Sequence, residues 1–257
     1  MIPQFTLRLI FGMGLTWCLA PRPQITSGFF RIQMLVTLGL SVLTLLTLGQ
    51  LSPEGPLPSP QGILLQTGCI LLAACSFLGS VLWTLERRTG GTRCAFVLTG
   101  LSLALNLVLT TLIPLSSHLD HVHATGTALS AGWLIGGTTS AMLLGHWYLT
   151  ATGMPLQPLI RLNQWFAVAG VVRILFAAWS ACVADWSHLN MVTLSWTILR
   201  WFGLIGPIVI AFLVVRILRY RNTQSATGVL YAATILVFMG EMAASLLASS
   251  GSFPLWP

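Results

Sequence analysis

"GILLQTGCILLAACSFLGSVLWTLERRTGGTR", from Gly62 to Arg93, decides the fold. Through Thr84 the stretch carries no charge, and its apolar residues run on continuously instead of alternating. A hydrocarbon core of about 30 Å takes about 20 residues of helix, so this run predicts a spanning helix. Continuous rather than alternating apolarity argues against a barrel strand, and lipid permits no third kind of span. Immediately beyond come Arg87, Arg88 and Arg93, which mark one side of the membrane.

The same ruler, moved outward along the chain, gives an all-α polytopic transmembrane bundle, one domain over 1–257. It places about eight spans, at about 4–20, 28–49, 62–84, 94–114, 125–149, 162–183, 190–217 and 226–248. The connectors are short and rich in breakers: "SPEGPLPSPQG", "GMPLQP" and "RNTQSATG". Composition agrees. Residues are 55% hydrophobic and 7% charged, against about a quarter charged in a soluble domain. Lipid is therefore the expected main partner. The net charge of +7 does not point to nucleic acid, because the basic residues are all arginines, scattered between apolar runs. The five cysteines lie in apolar stretches without a CxxC pair, as small hydrophobes at helix contacts do.

Loop arginines fix the expected orientation. Counted alternately, one side receives Arg22, Arg31, Arg87, Arg88, Arg93, Arg161, Arg216, Arg219 and Arg221. The other receives Glu54, Asp120, Asp185, His118, His121, His123 and His188. Both termini are thus expected outside a bacterial cytoplasmic membrane. "MIPQFTLRLIFGMGLTWCLAPRP" has the look of a secretory signal, but removing it would turn the arginine loops outward, so it reads as a retained first span.

Ionisable residues deep in spans cost about 2.5–3.5 kcal/mol each on insertion scales and so invite a functional reading. Arg173, Arg200 and Glu241 fall there, and an Arg200–Glu241 pair is geometrically reasonable. Two uses stay open: an ion pair that sets helix register, or a site where arginine holds a quinone oxygen, a haem propionate or a substrate carboxylate. In "RWFGLIGP", Arg200, Gly203 and Pro207 share a helix face, and the proline frees the Gly203 carbonyl beside an expected kink.

The fifth span ends in "GHWYL". His146 is either a hydrogen-bonded helix-end residue between interfacial aromatics or a ligand to haem or quinone. Two small-residue stripes precede it, Gly132 with Gly136 and Gly137 with Ala141 and Gly145, suited to a close helix or to a flat cofactor. A bis-histidine haem b within the chain is disfavoured, since His123 and His146 stand about 35 Å apart along a helix. The loop "SSHLDHVHATG" offers His118, Asp120, His121 and His123 as metal ligands, with a solvated polar rim as the plainer alternative. Nucleotide, protease and hydrolase motifs are absent, and the two halves show no convincing internal repeat.

"GHWYL", "RLNQW" and "RNTQSATGVLYAA" together resemble a group of bacterial polytopic membrane proteins, a likeness that implies location and no particular activity. In architecture alone the chain is also similar to the polysulfide-reductase (NrfD-like) membrane subunits. That likeness implies extracytoplasmic redox partners and a quinone, and carries no site residue across. Three functions follow as expectations. The first is a membrane subunit of a respiratory or electron-transfer complex, contacting quinone or haem through His146, Arg173, Arg200 and Glu241. The second is a proton-coupled carrier of a small anion. The third is a structural assembly subunit.

Overall fold

A computed structural model describes residues 1–51, 59–112, 117–151, 153–184 and 190–249. Eight α-helices occur among them: α1 (Ile2–Leu19), α2 (Ser27–Thr47), α3 (Ser59–Thr84), α4 (Arg88–Thr111), α5 (His118–Thr150), α6 (Gln157–Val183), α7 (Met191–Arg219) and α8 (Thr223–Ser249). The described residues contain no strand. Six helices (α2, α3, α4, α6, α7 and α8) are long and apolar enough to cross a membrane, which makes this a multi-pass membrane protein in contact with lipid.

The two remaining helices fall short for a physical reason. α1 and α5 lie against each other, and other helices surround them. A surface covered by protein has no need of lipid-soluble side chains, so α5 is free to carry glycine, threonine and serine along its length. Most of these hydroxyls bond back to carbonyls one turn earlier, as Thr139 does to Ile135 and, on α1, Thr16 to Gly12, while Thr127 and Ser140 have no partner among the described residues.

Neighbour relations divide the bundle into two rings. In the first, α1 touches α2 and α4 while α3 touches α2 and α4; in the second, α5 touches α6 and α8 while α7 touches α6 and α8. The rings meet mainly along α1 and α5. There Gly12 lies against Gly132 and Gly136 so closely that a Cβ on any of the three would strike the backbone of the other helix.

The two groups of four helices thus share one connectivity, and a single offset along the chain brings α2, α3 and α4 onto α6, α7 and α8. Gly68 of α3 meets Leu105 of α4, and Gly203 of α7 meets Gly240 of α8. One and the same interval along the chain separates Gly68 from Gly203 and Leu105 from Gly240. That interval also relates Leu65 to Arg200 and Asn106 to Glu241. Only the first glycine survives as an identity among these four pairs, which is why no repeat shows in the letters.

Expected helix positions agree with the structure to within about three residues at most ends, but α4, α5 and α6 begin earlier, so that Arg88, Arg93 and Arg161, expected in loops, lie in helices. The stretch Leu119–His123, read from sequence as a loop, forms the opening turns of α5. Ser117 caps it: its Oγ accepts from the Asp120 N–H, and the Asp120 carboxylate accepts from the Ser117 N–H. Pro207 sits inside α7 without ending it.

Candidate functional site

Helical period places three charges on inward faces. On α6 the buried positions Leu162, Phe166, Ala169, Gly170, Arg173, Ala177 and Ser180 recur at three- and four-residue steps, and Arg173 belongs to that stripe. Arg200 shares the buried face of α7 with Gly203, Leu204 and Pro207, and Glu241 shares that of α8 with Val237, Gly240 and Ala244. All three are almost wholly enclosed, at 0%, 4% and 5% exposure.

Arg173 and Glu241 form a two-pronged pair. Nε donates to Oε1 at 2.8 Å and Nη2 donates to Oε2 at 2.8 Å. The carboxylate therefore belongs to Arg173, which corrects the sequence expectation that Arg200 holds it. Arginine's planar fork matches both oxygens at once, a geometry a single offset contact from α7 does not provide. Arg200 stays within electrostatic reach of both members of the pair. A further arginine that the sequence reading did not single out, Arg8 of α1, is partly buried and also acts on Glu241 and Arg173.

One guanidinium thus binds the carboxylate, and two more lie within electrostatic reach of it. The Nη1 of Arg173 and the Nη2 of Arg200 are buried and have no hydrogen-bond partner among the described residues. All four groups share a level: counted from the nearest helix end away from the Arg87–Arg88 turn, each lies about 9–15 Å in. Gly203 sits against Gly240 one residue before Glu241, and the Cβ that Gly240 lacks would point at the Arg200 carbonyl. The α7–α8 crossing is therefore tightest where the charges lie.

Toward the α5 start, His123 borders this cluster. Its Nε2 lies 3.0 Å from Ser180 Oγ and 3.4 Å from the Phe176 carbonyl, and its ring meets Trp179 edge-on. His123 interacts electrostatically with Arg173 and Arg200. His123 thus faces α6, while His118 and His121 stand at the start of α5 beside Asp120, whose carboxylate accepts the capping bond from Ser117. Among the described residues no three histidine, cysteine or acidic side chains come together as metal ligands. Asp185, His188 and Glu54 lie outside the described residues.

His146 does not join Arg173, Arg200 and Glu241. It is exposed near the opposite end of the bundle, its ring edge-on to Tyr231 at 6.3 Å. Tyr231 is ten residues before Glu241 on α8, about 15 Å of helix. The flanking aromatics of "GHWYL" are structural ties rather than headgroup markers. Trp147 Nε1 donates to Thr26 Oγ1 at 2.8 Å, joining the end of α5 to the start of α2. The Tyr148 hydroxyl donates to the Pro155 carbonyl and so fastens the turn before α6. Neither small-residue stripe leaves room for a flat cofactor. α1 fills one at Gly132 and Gly136, while Thr227 and Leu230 of α8 fill the other at Gly145.

Comparison with known proteins adds no name to this geometry: no protein-family model, curated protein or solved structure matches the chain.

Proposed function

We propose that the chain crosses a bacterial cytoplasmic membrane eight times, with both termini outside, and binds a small anion among α1, α6, α7 and α8 as a proton-coupled carrier. Arg173 and Arg200 are the donors to the anion. Glu241 holds the Arg173 fork when no anion is engaged and takes up a proton when it gives that fork up. One observation carries this reading: two buried guanidiniums, with a third partly buried one nearby, share a single carboxylate, and two of their nitrogens have no partner among the described residues. Removing an ion from water costs several kcal/mol even after relaxation, so the surplus positive charge favours a ligand that brings negative charge with it.

The electron-transfer reading uses the same donors on a quinone carbonyl. Surplus positive charge favours an anion over a neutral quinone, and the exposed His146 stands apart from the arginines. The discriminating measurement is the melting temperature of the protein in nanodiscs, titrated with lactate, succinate, phosphate, nitrate and a short-chain ubiquinone. At least one anion is expected to raise it, with apparent affinity falling tenfold or more in Arg200→Leu. A response to the quinone alone, equal in wild type and Arg200→Leu, sinks the anion site. Uptake of the responding anion into proteoliposomes, driven by an imposed proton gradient and lost in Glu241→Gln, then tests transport itself.

A further inference from the structure

A second cluster of arginines lies at the other end of the bundle, in the ring that lacks the ion pair. Arg22, Pro23, Trp83, Arg88, Thr89, Thr92, Arg93 and Phe96 line a cavity of about 430 Å³ between the end of α1, the end of α3 and the start of α4. Two of the arginines are held in place by the backbone. Arg22 Nη1 donates to the carbonyls of Trp17 and Cys18, at 3.1 and 2.9 Å, and its guanidinium lies over the Phe96 ring. Arg88 Nη1 donates to the Pro23 carbonyl at 3.2 Å. Each guanidinium has five N–H donors, so most of their donors remain for another partner.

The placement runs against ordinary helix electrostatics. Arg88 and Arg93 stand in the first two turns of α4, where the macrodipole disfavours positive charge, and no side chain caps that helix start. Glu86, in the turn just before, is the nearest acid in sequence and sets one negative charge against Arg22, Arg87, Arg88 and Arg93. Trp83 also lines the cavity. It is 2% exposed, and its indole N–H has no hydrogen-bond partner among the described residues. Spare guanidinium donors, hydroxyls of Thr89 and Thr92 and an uncapped helix start together match a phosphate group.

The surroundings say which phosphate. Phe77 and Val81 of α3 and Leu85 just past its end follow at four-residue steps and are exposed, as are Phe96 and Val97 of α4. A cavity at the membrane rim that sets arginines on a mainly apolar wall, and whose Phe96 is itself exposed, accommodates a headgroup and its acyl chains. We infer that Arg22, Arg88 and Arg93 form a headgroup site for an anionic phospholipid. This inference is independent of the anion site in the second ring and of which side the cavity faces.

Native mass spectrometry of the detergent-solubilised protein tests it, with phosphatidylglycerol, phosphatidylcholine and inorganic phosphate as probes. The exposed pair Arg88→Ala/Arg93→Ala is compared with Arg219→Ala/Arg221→Ala, which removes equal charge elsewhere on the chain. Phosphatidylglycerol is expected to bind at least tenfold more tightly than phosphatidylcholine, to lose that preference in the first double variant and to keep it in the second. Equal loss in both variants reduces the effect to general rim charge and overturns the site. Equal binding of both lipids overturns the anionic choice. Inorganic phosphate that displaces phosphatidylglycerol at comparable concentration shows a free-phosphate site and overturns the lipid.

Discussion

The two rings solve one packing problem with different chemistry. In the first, Asn106 donates from Nδ2 to the Leu7 carbonyl of α1 at 3.1 Å, Thr6 meets Thr44, and Thr37 donates to Ser76. Neutral groups tie α1 to α2 and α4, and α2 to α3. In the second, the position related to Asn106 is Glu241 and the one related to Leu65 is Arg200. Since neutral side chains suffice to assemble the first ring, charge is not a requirement of the arrangement. That difference is the reason for reading Arg173, Arg200 and Glu241 as a site instead of as structural ties.

The strongest way to break this comparison is to remove the carboxylate. Glu241→Leu leaves Arg173 buried and unpaired, and is expected to cost about 3–5 kcal/mol of stability in reversible denaturation in mixed micelles. A cost near zero would mean that the pair is not formed in the membrane. The glycine crossings should separate the rings next. A Cβ on Gly203 meets the Gly240 backbone at 2.5 Å, whereas one on Gly68 meets the movable end of Leu105 at 2.4 Å. Gly203→Ala should therefore cost about 1–3 kcal/mol and Gly68→Ala distinctly less, read in the same assay. Smaller still is Asn106→Leu, which loses one helix–helix hydrogen bond worth about 0.6–2 kcal/mol in membranes.

Arg200→Leu sharpens the contrast from the other side. It installs the first ring's residue in the second, and removing a buried charge that lacks its own carboxylate should leave the melting temperature unchanged or raised. Anion-dependent stabilisation should be lost in the same variant. A variant that gained stability yet kept its anion response would shift the site onto Arg173 and Arg8.

Much of this was legible in the letters. Run length and continuity gave helices, and the cost of ions in hydrocarbon picked out Arg173, Arg200 and Glu241 before any contact was visible. Pairing was not legible, because depth along a helix says nothing about rotation. Arg173 and Arg200 stand at similar depths, and only the faces of α6 and α8 decide which reaches Glu241. Arg8 escaped attention for a related reason. It lies nearer a helix end than the other two, and its closeness to α6 and α8 depends on how α1 crosses α5 at Gly12, a contact far away in sequence. The turns around Asp120 read as a loop because a polar stretch before an apolar one looks alike whether it is a connector or a capped helix start.

The seam at Gly12 and Gly136 has a consequence for biogenesis. α1 and α5 lack the apolarity that would commit either to lipid alone, yet each ends up sheathed by neighbours made after it. α1 must await α4 and α5, and α5 must await α8. Without those partners each would expose glycine backbone and hydroxyls to the acyl chains, so the seam is complete only when α8 is in place.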